Sequence, residues 1–225
     1  MLARSDLHHR ESALDAAEEA CRGCHACPLY RKATHAVWGE GPPDASVMLV
    51  GEQPGDLEDL RAHPFVGPAG LLLRAVMDDA GLGPDVYLTN AVKHFKFEER
   101  GKRRLHKRPS STEVLACKPW LIQEIAIVRP RVLVALGATA ASTLFGSAVS
   151  VTRDRGRVLD PSLNKFDQFA GATMVTFHPS AILRAPTHER RSELRQLLRR
   201  DLALAARVAA RASRTDDEAR ASASR

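Results

Sequence analysis

Residues 47–55 read VMLVGEQPG, a short apolar run that stops at a polar, glycine-containing motif. Such a run, bounded by turn residues, predicts a strand that is buried on both faces of a sheet. Three similar runs follow it, separated by segments of helical period. The predicted strands are Val47–Val50, Val86–Leu88, Val132–Leu136 and Thr173–Thr176, and the predicted helices are Ala69–Asp79, Ser111–Val128, Ala138–Leu144 and Glu189–Ala205. Alternating strands and helices predict an α/β fold with a parallel sheet covered on both faces.

Polar motifs follow three of these strands at their carboxyl ends. GEQPG occupies residues 51–55 after the first strand, Asn90 follows the second, and HPS occupies residues 178–180 after the last. In open α/β sheets, ligands bind beyond the carboxyl ends of the strands. The three motifs therefore predict one shared pocket.

The length and composition are those of one ordinary globular domain. The chain has 225 residues, of which 44% are hydrophobic and 5% aromatic, so the core is built mainly from aliphatic side chains. We place this domain, with an N-terminal helix and a cysteine-bearing segment, at residues 1–206. Residues 207–225 carry almost no large apolar side chains, and we predict that they form a disordered tail.

Hydropathy, charge and cysteine content limit the compartment in which the protein is expected and the kind of partner it binds. No stretch approaches the roughly 18–20 apolar residues of a membrane helix, and the polar N-terminus lacks the apolar core of a signal peptide. We therefore expect a cytoplasmic monomer that does not contact membranes. The 33 basic and 27 acidic residues give a formal net charge of +6, a weak indication of a polyanionic partner. Disulfides are rare in a reducing compartment, so a metal or cluster is the leading use of the four cysteines.

The cysteines stand in the pattern Cys21-Arg-Gly-Cys24-His-Ala-Cys27, with Cys117 isolated. A C-x-x-C pair is compatible with zinc, with a redox pair and with iron–sulfur ligands. A thioredoxin-like redox role is disfavoured because the motif precedes the first strand. The spacing does not choose between the pairs Cys21/Cys24 and Cys24/Cys27, and buried cysteines without a ligand remain the structural alternative.

Residues 93–108 read KHFKFEERGKRRLHKR and are strongly basic. They hold eight Lys or Arg and two Glu, so their formal charge of +6 equals that of the whole chain. With Phe95 and Phe97 interleaved, the segment predicts a surface that follows phosphates and stacks on bases. A solvated charged loop, with His106 as a bystander, is the alternative.

Six motifs together resemble the UdgX branch of the uracil-DNA glycosylase superfamily, which is related to the family 4 enzymes. They are GEQPG at 51–55, PFVGPAG at 64–70, TNAVKHFKF at 89–97, KRRLH at 102–106, ACKPWL at 116–121 and HPS at 178–180. The match runs in order from about Cys24 to beyond Leu183, and Leu105 stands where isoleucine is usual. The resemblance implies a three-layer α/β/α sandwich around a central, mainly parallel four-stranded sheet.

The resemblance also implies a 4Fe–4S cluster. In related iron–sulfur glycosylases a cysteine ligand follows the Asn-x-x-Lys stretch, and here that position is His94. The implied ligands are therefore Cys24, Cys27, His94 and Cys117, with Cys21 as a spare. The plainest role for the cluster is a scaffold that joins the N-terminal segment to the basic segment.

The family's activity is the excision of uracil from DNA, with single-stranded DNA as the expected preference. Phe65 would stack on uracil and Asn90 would read its polar edge, beside Gly51 and with Gln53 orienting the base or a water. The residues expected to hold the basic loop and the DNA backbone are Lys102, Arg103, Arg104 and Arg184. Glu52 would stabilise the positive charge that develops on the sugar, and a neutral His178 would donate to a uracil oxygen.

In proteins that resemble UdgX, the histidine of the KRR-x-H loop attacks C1′ of the sugar, which assigns His106 as the nucleophile. A positioned neutral imidazole is a better nucleophile than water, and an N-alkylimidazole is a poor leaving group. The expected outcome is a covalent adduct and a single turnover. Two alternatives are a conventional glycosylase that releases a free abasic site and a non-catalytic iron–sulfur protein that binds nucleic acid.

Overall fold

The computed structural model describes residues 4–163 and 169–223, with side chains described as far as residue 215. The strands are β1 (Val47–Gly51), β2 (Val86–Asn90), β3 (Phe97–Arg100), β4 (Arg103–His106), β5 (Val132–Leu136) and β6 (Ala172–Thr176). Four of them form one sheet in the order β2-β1-β5-β6, and every neighbouring pair is parallel. The four predicted strands are confirmed, and the sheet is wholly parallel.

Helices connect these strands. They are α1 (Arg4–Arg22), α2 (Asp56–Arg61), α3 (Pro68–Asp79), α4 (Ser111–Val128), α5 (Ala138–Phe145), α6 (Val151–Asp154), α7 (Pro179–Leu183) and α8 (His188–Ala223). The predicted helices correspond to α3, α4, α5 and α8. Helix α4 begins with a capping box, in which the Ser110 hydroxyl accepts from the backbone of Glu113 and the Glu113 carboxylate accepts from the backbone of Ser110.

The sheet is covered on both faces because successive residues of a strand point to opposite sides. Leu49 and Val134 pack with α3, α7 and α8 on one face. Met48 and Leu133 pack with α4 and α5 on the other. These strand residues are fully buried, which confirms the three-layer α/β/α sandwich. Within the described residues, no helix has both the length and the apolar character required to cross a membrane.

Helix α8 extends past residue 206, where the predicted domain ends. Helix α8 continues through residue 207 to Ala223, and residues 224–225 lie outside the described part. Ala205 and Ala209 lie on the buried side of this helix, and Val208 packs against the same cluster. Alanine and arginine are also strong helix formers, so the segment needs few large apolar residues to remain helical.

The basic segment forms a β-hairpin and not the loop expected from its sequence. Strands β3 and β4 pair antiparallel, with Phe97 opposite His106 and Arg100 opposite Arg103. Gly101 begins the two-residue turn with a φ of +61°, a backbone conformation that glycine adopts without strain. The hairpin therefore fixes the position of His106 relative to the sheet.

Candidate active site

A cavity of about 820 Å³ opens at the carboxyl ends of the sheet strands. The residues that follow β1, β2 and β6 line it, together with the end of the hairpin. Of the residues predicted from sequence, seven line this cavity, namely Glu52, Gln53, Phe65, Asn90, His106, His178 and Arg184. The structure therefore brings the three polar motifs and the hairpin histidine to one place.

The floor of the cavity holds Phe65 and Asn90, both buried. Gly51 lies beneath them, and a Cβ at this position would be 2.3 Å from Asn90 Oδ1 and 2.8 Å from Phe65 Cζ. Any other residue at position 51 would therefore displace both side chains. The backbone of Phe65 has a φ of +55°, an unusual conformation for an aromatic residue and one that occurs at functional sites. The floor thus offers an aromatic ring beside an amide that can donate and accept.

Glu52 and His106 lie next to each other in the wall of the cavity. His106 Nε2 lies 3.4 Å from Glu52 Oε1, and the His106 side chain is 49% exposed. Burial lowers the pKa of His106, an effect that Glu52 opposes and Arg184 reinforces. Glu52 Oε2 accepts a hydrogen bond from the Thr139 hydroxyl. A carboxylate and a neutral imidazole therefore share one side of the cavity.

His178 lies at the start of α7 and is held in one tautomer. Its Nδ1 accepts from the backbone N–H of Ser180 at 3.2 Å, so this nitrogen carries no proton. Nδ1 also lies 2.8 Å from the Ser180 hydroxyl. Burial, with help from Arg184 and His106, lowers the pKa of His178 to about 4. The ring is therefore neutral at pH 7, with its proton on Nε2, and it can donate one hydrogen bond.

Gln53 binds the hairpin, which differs from the expectation that it orients a base or a water. Its Nε2 donates to the carbonyls of Lys96 and Lys107, both at 3.1 Å, and its Oε1 accepts from the backbone of Lys96. These contacts use both ends of the amide. Gln53 directly follows Glu52 in the chain, so these contacts hold the base of the hairpin close to Glu52.

Arg104 fastens the other side of the hairpin. Its guanidinium donates to Asp56 Oδ1 at 2.5 Å and to Asp59 Oδ2 at 2.6 Å. It also lies over the rings of Phe95 and Phe97, at 5.6 and 5.0 Å from their centroids. Of its two expected roles, the structure supports holding the loop, because its charge is directed to carboxylates of α2.

Part of the charge in the basic segment is paired with acidic side chains and is therefore not free to bind phosphates. Lys93 is fully buried and paired with Glu124, and Phe95 is buried and so unable to stack on a base. Lys96 pairs with Glu113, and Lys107 pairs with Glu98. The side chains that remain exposed without such a pair, within the described part of the chain, are those of Arg100, Lys102, Arg103 and Arg108.

The four cysteines are free, and all lie where α1 and α4 pack together. Cys27 and Trp120 both pack against the buried cluster that contains Cys117, and Trp120 also packs against the cluster that contains Cys21. The Trp120 indole N–H donates to Cys24 Sγ at 3.2 Å. The backbone N–H of residue 93 donates to Cys117 Sγ at 3.1 Å. N–H donors directed at sulfur accompany iron-bound thiolates, so this donor set fits an iron–sulfur cluster.

Cys21 and His94 are the two candidates for the fourth ligand. Burial raises the pKa of Cys21 to about 12, with Cys117 and Cys24 among the nearby sulfurs that act on it. Burial lowers the pKa of His94, and the titratable side chains that act on it are those of Asp59 and His25. Over the described residues, no three His, Cys, Asp or Glu side chains stand close enough to hold one metal ion. A 4Fe–4S cluster has four irons, so its ligands need not converge on one point.

Sequence reasoning missed Thr139 and Arg108. Thr139 lies just after the end of β5, and it accepts from Arg108 Nε at 3.1 Å while it donates to Glu52. The rule that strand ends carry function applies to β5 as well, and it would have directed attention to Thr139. Nothing in the sequence distinguishes Arg108 from the other seven basic residues of the segment 93–108.

Comparisons with known proteins point to one family. The family model described as Uracil DNA glycosylase superfamily matches residues 38–203. The Type-4 uracil-DNA glycosylase of Thermotoga maritima is 37% identical over 199 residues, which cover 87% of this chain and 94% of that protein. The corresponding enzyme of Pyrobaculum aerophilum is 36% identical over 192 residues, covering 83% of this chain and 89% of that protein. That of Sulfurisphaera tokodaii is 34% identical over 194 residues, or 84% of this chain and 81% of that protein.

Proposed function

The chain belongs to the uracil-DNA glycosylase superfamily, and on that premise we propose that it excises uracil from DNA and then captures the sugar covalently through His106. The relatives named as Type-4 uracil-DNA glycosylases support the excision step. Covalent capture rests on one observation. The His106 imidazole lines the same cavity as Asn90 and His178, with Nε2 at 3.4 Å from Glu52 Oε1.

Recognition of the base uses the cavity floor. A uracil that is flipped out of the stack, or taken from single-stranded DNA, would lie on the Phe65 ring. The Asn90 amide would donate to one oxygen of uracil and accept from N3–H, a pattern that uracil offers and cytosine does not. Gly51 leaves room for both side chains because it has no Cβ.

Departure of the base places negative charge on uracil and positive charge on the sugar. The C1′–N1 bond breaks with both electrons moving to uracil, and the His178 Nε2–H donates to an oxygen of this anion. The Glu52 carboxylate stabilises the sugar cation, as carboxylates do in glycoside hydrolysis. The fixed neutral tautomer of His178 supports this role, because Nδ1 is occupied by the Ser180 N–H and the ring proton is therefore on Nε2, where it can be donated.

The His106 ring then competes with water for C1′. A lone pair of the neutral imidazole forms the N–C1′ bond, and the resulting imidazolium loses its remaining N–H proton. Glu52 accepts this proton and passes it to the departing uracil anion or to solvent, so charge and atoms balance. The product is a neutral N-alkylimidazole, which does not leave readily, and the protein turns over once.

A 4Fe–4S cluster bound by Cys24, Cys27 and Cys117, with His94 or Cys21 as the fourth ligand, would supply a rigid anchor for the N-terminal segment. The N–H donors from Trp120 and from the backbone of residue 93 support thiolate ligation. These residues hold α1, α4 and the start of the hairpin segment together. We assign them no step in the reaction.

Contacts to DNA are proposed for Arg184, which lines the cavity, and for Lys102 and Arg103, which are exposed at the turn end of the hairpin. Such contacts bind phosphates without reading sequence. Single-stranded DNA is the proposed preferred substrate, because it does not require a base pair to be opened. We propose that the protein acts as a monomer.

The decisive experiment mixes the protein with single-stranded DNA that contains one uracil, followed by a denaturing gel. We expect a shifted protein–DNA band, and His106→Ser should remove it while uracil release continues. The serine variant could then turn over, because water can reach C1′. An equal yield of adduct from His106→Ser would show that another residue is the nucleophile.

Two further outcomes separate the alternatives. Free abasic product without a shifted band would indicate a conventional turnover glycosylase. DNA binding without uracil release would indicate a non-catalytic protein. Iron and sulfide should be measured on the same anaerobic preparation, because colourless, zinc-loaded protein would contradict the cluster.

A further inference from the structure

The Thr139 hydroxyl connects Glu52 to Arg108, which lies two residues after the end of the hairpin. Thr139 lies in the first turn of α5 and is only 4% exposed. Its Oγ1 donates to Glu52 Oε2 and accepts from Arg108 Nε at 3.1 Å. Arg108 thus reaches Thr139 from the end of the segment that carries His106. This chain of contacts lies beside the reacting groups and belongs to none of the roles proposed above.

The direction of these hydrogen bonds is fixed by the chemistry of the groups. A guanidinium only donates, so the Thr139 oxygen must accept from Arg108. The hydroxyl has one hydrogen, and it is then directed to Glu52 Oε2. Because Oε2 is held in this way, the plane of the carboxylate is set and Oε1 faces His106 at 3.4 Å. Hydrogen bonds to charged groups are among the stronger ones in proteins.

We propose that Thr139 is a positioning residue that aims the Glu52 carboxylate, with Arg108 fixing the direction of its hydroxyl. This inference rests on the proposed function, in which Glu52 stabilises the sugar cation and accepts the His106 proton. Since Arg108 follows the hairpin, the same contacts join the orientation of Glu52 to the position of His106. Neither Thr139 nor Arg108 touches the base in this scheme.

The first test compares Thr139→Val, which keeps the shape but removes the hydroxyl, with Thr139→Ser, which keeps the hydroxyl. Single-turnover rates are measured at saturating uracil-containing DNA, and DNA affinity is measured separately. We expect Thr139→Val to slow uracil release by roughly 10- to 100-fold, the usual effect of losing one hydrogen bond to a charged group. DNA affinity should stay within about twofold, since no DNA contact is lost, and Thr139→Ser should restore most of the rate.

A double-mutant cycle with Glu52→Ala tests whether Thr139 acts through Glu52. Thr139→Val should then slow the Glu52→Ala variant by less than about twofold, because there is no carboxylate left to aim. The same large loss in both backgrounds would overturn the proposal. A loss that serine does not restore would overturn it too.

A crystal structure of Thr139→Val without DNA keeps the inference testable apart from activity. We expect the Glu52 carboxylate to rotate or to occupy more than one conformation, with its contact to His106 lost. An unchanged Glu52 would overturn the positioning role even if the enzyme were active. Conversely, a wild-type protein that releases no uracil would defeat the proposed function, while the position of Glu52 in the two structures would still decide this inference.

Discussion

His178 shows how a structural contact can prepare a chemical one. Its Nδ1 caps the first turn of α7 by accepting from the Ser180 backbone, so the sequence motif HPS serves as a helix cap. The same contact forces the remaining proton onto Nε2, which is the form that can donate to a leaving base. The structural interpretation of this histidine and the catalytic one are therefore compatible.

The pH dependence of uracil release tests this view of His178. Because the pKa of His178 is lowered to about 4, the ring stays neutral as the pH falls through the ordinary histidine range. In the His106→Ser variant, release should be constant from about pH 7.5 to 5.5 and should fall toward pH 4. Protonation of Nδ1 removes the acceptor for the Ser180 N–H, so the ring would turn away.

His178→Gln provides the control for that profile, since glutamine can donate but does not titrate. Its rate is expected to be lower, and its acid limb should change position relative to His106→Ser alone. A rate that is already halved near pH 6.5, in the His106→Ser background, would show that His178 titrates as an ordinary exposed histidine. The account of the fixed tautomer would then be wrong.

At the scale of elements, the β3–β4 hairpin holds His106, the proposed nucleophile, in a defined position beside Glu52. Gln53 binds the backbone of both its ends, and Arg104 ties it to α2 through Asp56 and Asp59. Asp59 is fully buried and also accepts from two backbone N–H groups, so its position is well determined. The hairpin therefore has little freedom to carry His106 away from Glu52.

Arg104→Met should loosen the hairpin and change the balance of products. We expect the fraction of excised sites that become covalent adducts to fall several-fold, because His106 would reach C1′ less often than water does. Uracil release itself should fall less, since Glu52, Asn90 and His178 remain in place. Both quantities come from one denaturing gel with quantified abasic sites.

Arg103→Met is the matched comparison on the same strand. Arg103 is exposed and, among the described residues, forms no ion pair, so its loss should weaken DNA binding and reduce its salt dependence. At saturating DNA, the adduct fraction should equal that of the wild type. If both variants lowered the adduct fraction equally, the clamp formed by Arg104 would have no special role.

At the scale of the whole molecule, the buried ion pair between Lys93 and Glu124 joins the cavity to α4, the helix that also carries Cys117. Lys93 Nζ donates to Glu124 Oε2 at 2.6 Å and to the carbonyl of Asn90 at 2.9 Å, and both charged side chains are fully buried. Glu124 also accepts from Thr89 and from the backbone of Gly39. The network is therefore well satisfied, and removal of one partner leaves a charge in the core.

Lys93→Met should lower the free energy of unfolding by about 3–5 kcal/mol, the usual effect of leaving one buried charge unpaired. Denaturant unfolding measures this loss. Adding Glu124→Gln to Lys93→Met should recover part of it, because the remaining charge is removed. Lys102→Met, the same change at an exposed site, should stay within about 0.5 kcal/mol. A loss below about 1 kcal/mol for Lys93→Met would contradict this account.

The sequence alone was enough to predict the strands, the main helices and the pocket at the ends of the strands. These features are local, because an apolar run of four or five residues and the polar motif after it are adjacent in the chain. Val47–Val50 followed by Glu52 predicted a buried strand that ends at a pocket, and in the structure β1 is buried and Glu52 lines the cavity. The order of motifs sufficed to suggest the family.

Only the tertiary structure decided how individual side chains are used. Thr139 reaches Glu52 across 87 residues of sequence, and Lys93 reaches Glu124 across 31, so no local pattern signals either contact. The charge of Lys93 was counted as surface because its partner lies on another element. Composition gives the number of charges, whereas packing determines which of them are buried, paired or free to meet DNA.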